Sequence, residues 1–529
     1  MKRVALLIIF CLLCLSLSAQ VNRYVVFFAN KSGTPYSLAS PEQFLSPKAI
    51  QRRISQNIEL TQADLPVSPF YVDGVESTGA EVYYTTRWLN GALIQADESL
   101  IEAIEALGYV DSVVYVAPGV RLTKNSRKWE AFEESPPAQT STQLQMLGVD
   151  ALHGEGYHGE GVTVAFFDGG FVGVNNVTAF QHIFFDNRMK YAFNLVENSQ
   201  DVFKSSNHGT KVFSATAGLM AGQFTGTAYG ADFMLFITED AASEYRIEEY
   251  NWLIAAEKAD SAGVDIISSS VGYFDFDDPS MNYSYEDMDG KTTIVAQAAK
   301  MASERGILIV ASAGNEGNKS WRYITTPADV ESILAVGSVN STGEVSSFSS
   351  RGPTADGRVK PDVMALGSGT TVINESGMIS KGTGTSFAAP LITGLAAGIW
   401  QAYPELTNYE LMDLIKSIGS HADIPDNSYG HGIPDYTLLA TPDPGSLSFS
   451  VFPNPVAIED LKIKSCCRQE TTAEARVIDA TGKVVKHLLF NFARNQNQHR
   501  LYVDDLRQGL YLLVLRSSTG TEMHRIVKY

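Results

Sequence analysis

The sequence predicts an α/β protein built around a doubly wound parallel sheet, with an α+β domain before it and an all-β sandwich after it. Three observations carry this reading. Between about Gln143 and Ala440, short apolar runs ("VTVAFF", "DFMLFIT", "VDIISSS", "ILIVAS", "SILAVGS") alternate with helical stretches, as strands buried on both faces of a parallel sheet do. Ahead of that region, strand and helix signals follow one another in the order βαββαβ. Beyond Leu447 the helical signals stop, and about seven short strand-like runs follow, separated by turn residues. In a doubly wound sheet, ligands sit beyond the carboxyl ends of the strands, so chemistry is sought there.

In chain order, residues 1–19 come first. Lys2 and Arg3, an apolar run from Val4 to Leu15 and small residues up to Ala19 make an export signal cut after Ala19. "RYVVFFA" is a strand, and "SPKAIQRRI" is a helix with Ser46 as N-cap and Pro47 at its first position. "GAEVYYTT" and "LNGALIQA" are strands, "DESLIEAIEAL" is a helix and "VDSVVYVA" is the last strand. This split βαββαβ order is ferredoxin-like and fills a domain over residues 20–125. A charged linker with Pro136 and Pro137 covers 126–142, the α/β domain 143–440, and "TPDPGS" a second linker over 441–446. The sandwich occupies 447–529.

The net charge of −19 argues against nucleic acid or an anionic membrane surface as partner. Removing the export signal leaves only the adjacent Cys466 and Cys467 of the four cysteines. That excludes a disulfide framework, and the pair reads as alternate faces of one strand.

Within the α/β region, Asp168 ends "VTVAFF" and is followed by two glycines. Taken singly it is turn chemistry. His208, in "NHGTKVFSATAGLM", opens a buried helix, where it can face a cleft while its helix is anchored. His182, in "QHIFF", reads as a core or surface histidine. Asn315, in "ASAGNEG", follows "ILIV" at a strand end and could donate to an oxyanion. Ser270, Val271 and Gly272 end another strand and offer an extended edge for a peptide backbone. Ser386, in "GTGTSFAAP", opens a helix of small residues. Alone it is an N-cap, but the amides behind it favour a negative charge. Pro390 reads as lying within the first turn, where it forfeits little.

Taken together, "FDGGF", "NHGTKV", "ASAGNEG" and "GTSFAAP" resemble the catalytic segments of subtilisin-like serine proteases, in that family's order Asp, His, Ser. "SSFSSRGPTADGRVKPDVMALG" extends the resemblance, which covers Gln143 to Ala440. It implies a subtilisin-like catalytic domain with Ser386 as nucleophile, His208 as general base and Asp168 orienting the imidazole. Asn315 and the Ser386 amide would form the oxyanion hole. Ser270, Val271 and Gly272 would line the substrate backbone and, with Ser312, Ala313 and Gly314, the first specificity pocket. Gly169 departs from the family, which more often has Thr or Ser there. An α/β-hydrolase esterase is disfavoured, since its elbow would need Gly where Ala388 stands.

The βαββαβ unit has the architecture of that family's inhibitory propeptides, and "FSVFPNPV", "RVIDATGKVV", "LRQGLYLLVL" and "HRIVKY" are similar to type IX secretion sorting domains of Gram-negative bacteria. Implied partners are protein or peptide substrates, the chain's own propeptide and the type IX machinery. The implied location is outside the outer membrane or on the cell surface. No cofactor and no metal at the site are expected. Many relatives bind structural calcium, but the acidic run Asp275, Asp277, Asp278, Glu286, Asp287 and Asp289 fits no EF-hand and reads as a solvated loop near the cleft. A surface-binding protein that keeps the fold without turnover is the alternative function.

Overall fold

The computed structural model describes residues 21–119, 140–440 and, of 449–529, all but 453–455, 457–459, 466–470, 480–482, 493–497 and 518–520. The export signal, most of the first linker, the second linker and the Cys466–Cys467 pair lie outside the described residues. The chain divides into two compact units, up to Tyr436 and from Thr437 onward.

The first unit begins with β1 (Val21–Phe28), β2 (Glu81–Thr86), β3 (Gly91–Asp97) and β4 (Val110–Pro118), an antiparallel sheet in the order β2-β3-β1-β4. This is the ferredoxin-like arrangement. The helix expected to cross that sheet, α1 (Pro47–Ser55), starts where the Ser-Pro signal put it, with Ser46 Oγ accepting from Ala49 N. It does not pack on its own sheet. The helix that does, with α3 (Ile101–Glu105), is α2 (Pro69–Glu76), which the sequence reading missed. Tyr71 and Val75 of α2 and Ile104 of α3 join Tyr24, Val26, Ala92 and Ile94 in one core. The buried face of α1 is Ala49, Arg52 and Arg53, too polar for that core and matched to acids elsewhere. On the sheet's other face, Val25, Tyr84, Leu93 and Val116 share a core with Tyr250, Leu253 and Ala298 of the α/β region.

That region holds seven parallel strands: β5 (Thr163–Asp168), β6 (Met189–Asn194), β7 (Asp232–Ile237), β8 (Ile266–Ser269), β9 (Leu308–Ser312), β10 (Leu334–Val339) and β11 (Val363–Leu366). Their order is β11-β10-β9-β8-β5-β7-β6. β5, β8 and β9 are therefore neighbours, and their carboxyl ends form one rim. Helices α5 (Ile247–Ala262) and α6 (Ile294–Glu304) carry the propeptide-like domain, while α4 (His208–Ala217) packs on α7 (Thr385–Ala402).

Glu249 of α5 is fully buried, accepting from Tyr283 Oη at 2.7 Å and Val295 N at 3.1 Å. Burial pushes its carboxyl up to about 7. Its protonated form is favoured by folding, so stability is lost as pH rises from the ordinary glutamate range to about 7 and is constant above. Glu249→Gln should therefore raise unfolding free energy by ~2–3 kcal/mol at pH 8 and leave it unchanged near pH 4. Denaturant unfolding at both values, in a Ser386→Ala background to prevent autolysis, checks this. An equal effect at the two values would mean that Glu249 is not protonated by burial.

Among its described residues the second unit has seven strands: Phe449–Phe452, Leu461–Ser465 and Gln498–Leu501 form one antiparallel sheet, and Thr471–Asp479, Val484–Phe492, Gly509–Arg516 and Thr521–Lys528 another. Leu461, Ile463, Val477 and Leu513 from the two sheets share one core, as a sandwich requires.

Candidate active site

Asp168 is the last residue of β5, 1% exposed. His208 opens α4, and its Nδ1 lies 2.9 and 3.0 Å from the two Asp168 carboxylate oxygens. The next residue must be glycine for this approach: a Cβ on Gly209 would stand 2.4 Å from the Gly170 carbonyl oxygen and 3.0 Å from the Asp168 Cβ. At Gly169, where the family more often has a hydroxyl residue, the backbone N–H donates to Asp168 Oδ1 at 2.7 Å. His182 contacts the Tyr229 carbonyl through Nε2 and is not among the residues lining this cleft.

Ser386 is the second residue of α7, where the backbone N–H has no intrahelical acceptor. Pro390 sits at the sixth helical position, past the first turn where the sequence reading placed it. Its missing N–H therefore falls on the Ser386 carbonyl four residues back. Ser270 Oγ replaces it, donating to Ser386 O at 2.9 Å, while Ser386 Oγ reaches Ser270 O at 3.4 Å. The proline thus frees the Ser386 carbonyl to be tied to the neighbouring strand end. Ser270→Ala should leave that buried carbonyl unpaired and cost about 1–3 kcal/mol of stability. Thermal unfolding measures it, and no loss would show that the carbonyl finds another donor.

Asn315 follows β9. Its Oδ1 accepts from Thr385 N at 2.9 Å and Thr385 Oγ1 at 3.0 Å, and Thr385 Oγ1 in turn accepts from Gly314 N. With the acceptor end anchored, Nδ2 is the end left to donate toward the cleft. Thr385 was not singled out from sequence, because its position beside Ser386 reads as helix start alone.

A cleft of about 310 Å³ runs past His208 and Ser386 between Ser270, Val271 and Gly272 on one side and Ser312, Gly314 and Asn315 on the other. Ala313 does not line it. Its side chain packs with Ile324, Ala328 and Ala335, because alternate residues of an extended segment face opposite sides. Thr325, Phe274, Glu239 and Glu244 also line the cleft, and none was legible as a site residue.

Of the acidic run, Asp275 alone lines the cleft. Asp278, Asp287 and Asp289 accept from nearby backbone N–H groups instead. Glu239, Glu244 and Glu248 bring carboxylate oxygens within 4.8 Å of one another and are, among the described residues, the group able to hold a cation. Glu239 there accepts from Tyr273 Oη at 2.6 Å and Glu248 from Asp240 N at 2.7 Å.

The subtilase family pattern matches residues 159–432, just over half of the chain. The chain belongs to the subtilase family. Within this subtilase, residues 23–131 match the peptidase S8 propeptide domain of Bacteroidota and residues 450–529 the secretion system C-terminal sorting domain. It is 28% identical over 364 residues to subtilisin E of Bacillus subtilis (strain 168), covering 68% of this chain and 82% of that protein. It is also 28% identical over 323 residues to the serine protease AprX of the same strain, covering 55% and 69%. Among solved structures it is similar to MycP1 with its N-terminal propeptide removed, at 21% identity and a TM-score of 0.45 over 57% of this chain and 96% of that one. The subtilase is a serine-type endopeptidase with a propeptide and a type IX sorting domain, which directs it to secretion or the outer surface. No helix among the described residues is long and apolar enough to cross a membrane.

Proposed function

We propose that this protease cleaves peptide bonds through Ser386, His208 and Asp168 by way of an acyl-enzyme. Ser386 Oγ attacks the scissile carbonyl carbon and His208 takes its proton, then passes it to the leaving amine. Water, deprotonated by His208, hydrolyses the ester. Asp168 holds the imidazole with Nδ1–H facing the carboxylate and stabilises the imidazolium. The Asn315 amide and the Ser386 N–H face the developing oxyanion. Ser270 to Gly272 align the substrate backbone and, with Ser312 and Gly314, bound the first specificity pocket, Ala313 contributing its backbone alone.

The observation that carries this reading is the double contact of His208 Nδ1 with Asp168 at 2.9 and 3.0 Å, in the cleft that Ser386 lines. The first domain, residues 20–125, is released after cleavage in the 126–142 linker and inhibits the mature enzyme in trans, and the 447–529 domain is removed on export. The test is to treat matured protein with a fluorophosphonate probe and map the modified peptide by mass spectrometry. Label on Ser386 that is lost in His208→Ala supports the reading. Absence of label from protein that has shed its propeptide would refute it.

A further inference from the structure

Thr325 presents to the cleft a hydroxyl that nothing among the described residues satisfies. It lines the cleft with Ser386, is 4% exposed, and its Oγ1 has no hydrogen-bond partner. Its position follows from the two pocket walls. Thr325 N donates to the Ala313 carbonyl at 3.2 Å, which fixes the residue against the Ser312–Gly314 wall. A Cβ on Gly272 would stand 2.2 Å from Thr325 Oγ1, and one on Gly314 would stand 3.0 Å from it. Oγ1 therefore lies between the walls at their glycines, where the absence of side chains opens the pocket. Glu316, which also lines the cleft, is paired with Lys319 at 3.0 Å.

A buried hydroxyl without a partner costs about 1–3 kcal/mol, and a site with such a group discriminates for a ligand that pairs it and against one that does not. We propose that Thr325 is a specificity residue that selects, immediately N-terminal to the scissile bond, a short neutral side chain ending in a hydrogen-bonding group over an apolar one of the same size. Asparagine against leucine is the matched pair, since the two differ little in shape. The hydroxyl can donate to the amide oxygen or accept from the amide nitrogen, and it makes neither contact with leucine. This inference rests on the proposed use of the cleft for substrate.

The experiment compares kcat/KM for two peptides that differ only in Asn or Leu at that position, with an Ala peptide as reference, in matured wild-type, Thr325→Val and Thr325→Ser enzymes. Wild-type should favour Asn, and Thr325→Val, which keeps the shape and loses the hydroxyl, should reduce the Asn-to-Leu ratio about tenfold or more. Thr325→Ser should keep the ratio within about threefold, which separates the hydroxyl from any effect of the valine on folding. A wild-type preference for Leu, or a ratio that Thr325→Val leaves within twofold, overturns the assignment while turnover of the Ala peptide leaves the protease reading standing. No turnover of any peptide by propeptide-free enzyme overturns both.

Discussion

Ser386→Ala and His208→Ala should each lower kcat for a peptide substrate by about six orders of magnitude, and the double variant should lose no more than either alone. The scale is that known for subtilisin itself and is carried over with the family. The non-additivity follows from the site of this chain. Among the described residues Ser386 Oγ has nothing stronger than a 3.4 Å contact with Ser270 O, so on the proposed mechanism it depends on the His208 imidazole to remove its proton. That imidazole in turn has no proton to relay without the nucleophile. Asp168→Asn acts less strongly, by about 10⁴, since it spoils the orientation of His208 and removes neither reacting group. Each variant is matured by wild-type enzyme in trans, which is then removed, and kcat is read with a chromogenic peptide. Losses that add, or a residual Ser386→Ala rate near wild-type, would place the nucleophile elsewhere.

That Asp168, His208, Asn315 and Ser386 would come together was legible because each segment carries its signal within a few residues: a strand end, a helix start, a neighbouring glycine. The sheet was legible for a similar reason, since strands buried on both faces must be apolar throughout. What escaped depends on partners far away in sequence. The helix Pro47–Ser55 was correct in its boundaries and wrong in its place, because its inner face carries Arg52 and Arg53, whose shared acid, Asp260, lies more than two hundred residues later in the α/β domain. Pro69–Glu76, which took the expected place, is marked only by a Ser-Pro start and contains Gly74. Thr325 gives no local sign that its hydroxyl lies between Gly272 and Gly314. Pro390 was placed one turn too early, and with it the reason that Ser270 is a serine.

Asp260→Ala should weaken inhibition of the matured enzyme by its own propeptide by about 10²- to 10³-fold or more, with hydrolysis of small peptides unchanged. Asp260 lies on helix Ile247–Ala262, on the face that carries the propeptide domain, and is completely buried. Burial alone would raise its carboxyl, but Arg87, Arg52 and Arg53 outweigh it and hold it at about 2. All three arginines belong to the propeptide domain. Arg52 reaches Oδ1 at 2.5 Å and Arg53 reaches Oδ2 at 2.9 Å, with Arg87 also on Oδ2. The reverse pairing stands beside it: Arg305 of the protease reaches Asp64 of the propeptide at 2.8 Å and stacks on Trp88. Replacing a buried ion group with apolar residues can be neutral, but removing one partner leaves the others charged and dry, at about 3–5 kcal/mol. Alanine at 260 removes the carboxylate that three guanidiniums share, and among the described residues Arg53 alone of them keeps an ion pair, with Asp64 at 3.3 Å. A depressed carboxylate stabilises the complex above its ordinary range and loses that effect only as pH falls toward 2, so the defect should be constant from pH 5 to 8. The inhibition constant of the processed propeptide against wild-type and Asp260→Ala enzyme decides the matter. A change below fivefold would mean that the arginines re-solvate at little cost and that affinity resides in the apolar contacts of Val25, Leu93 and Val116 with the two helices.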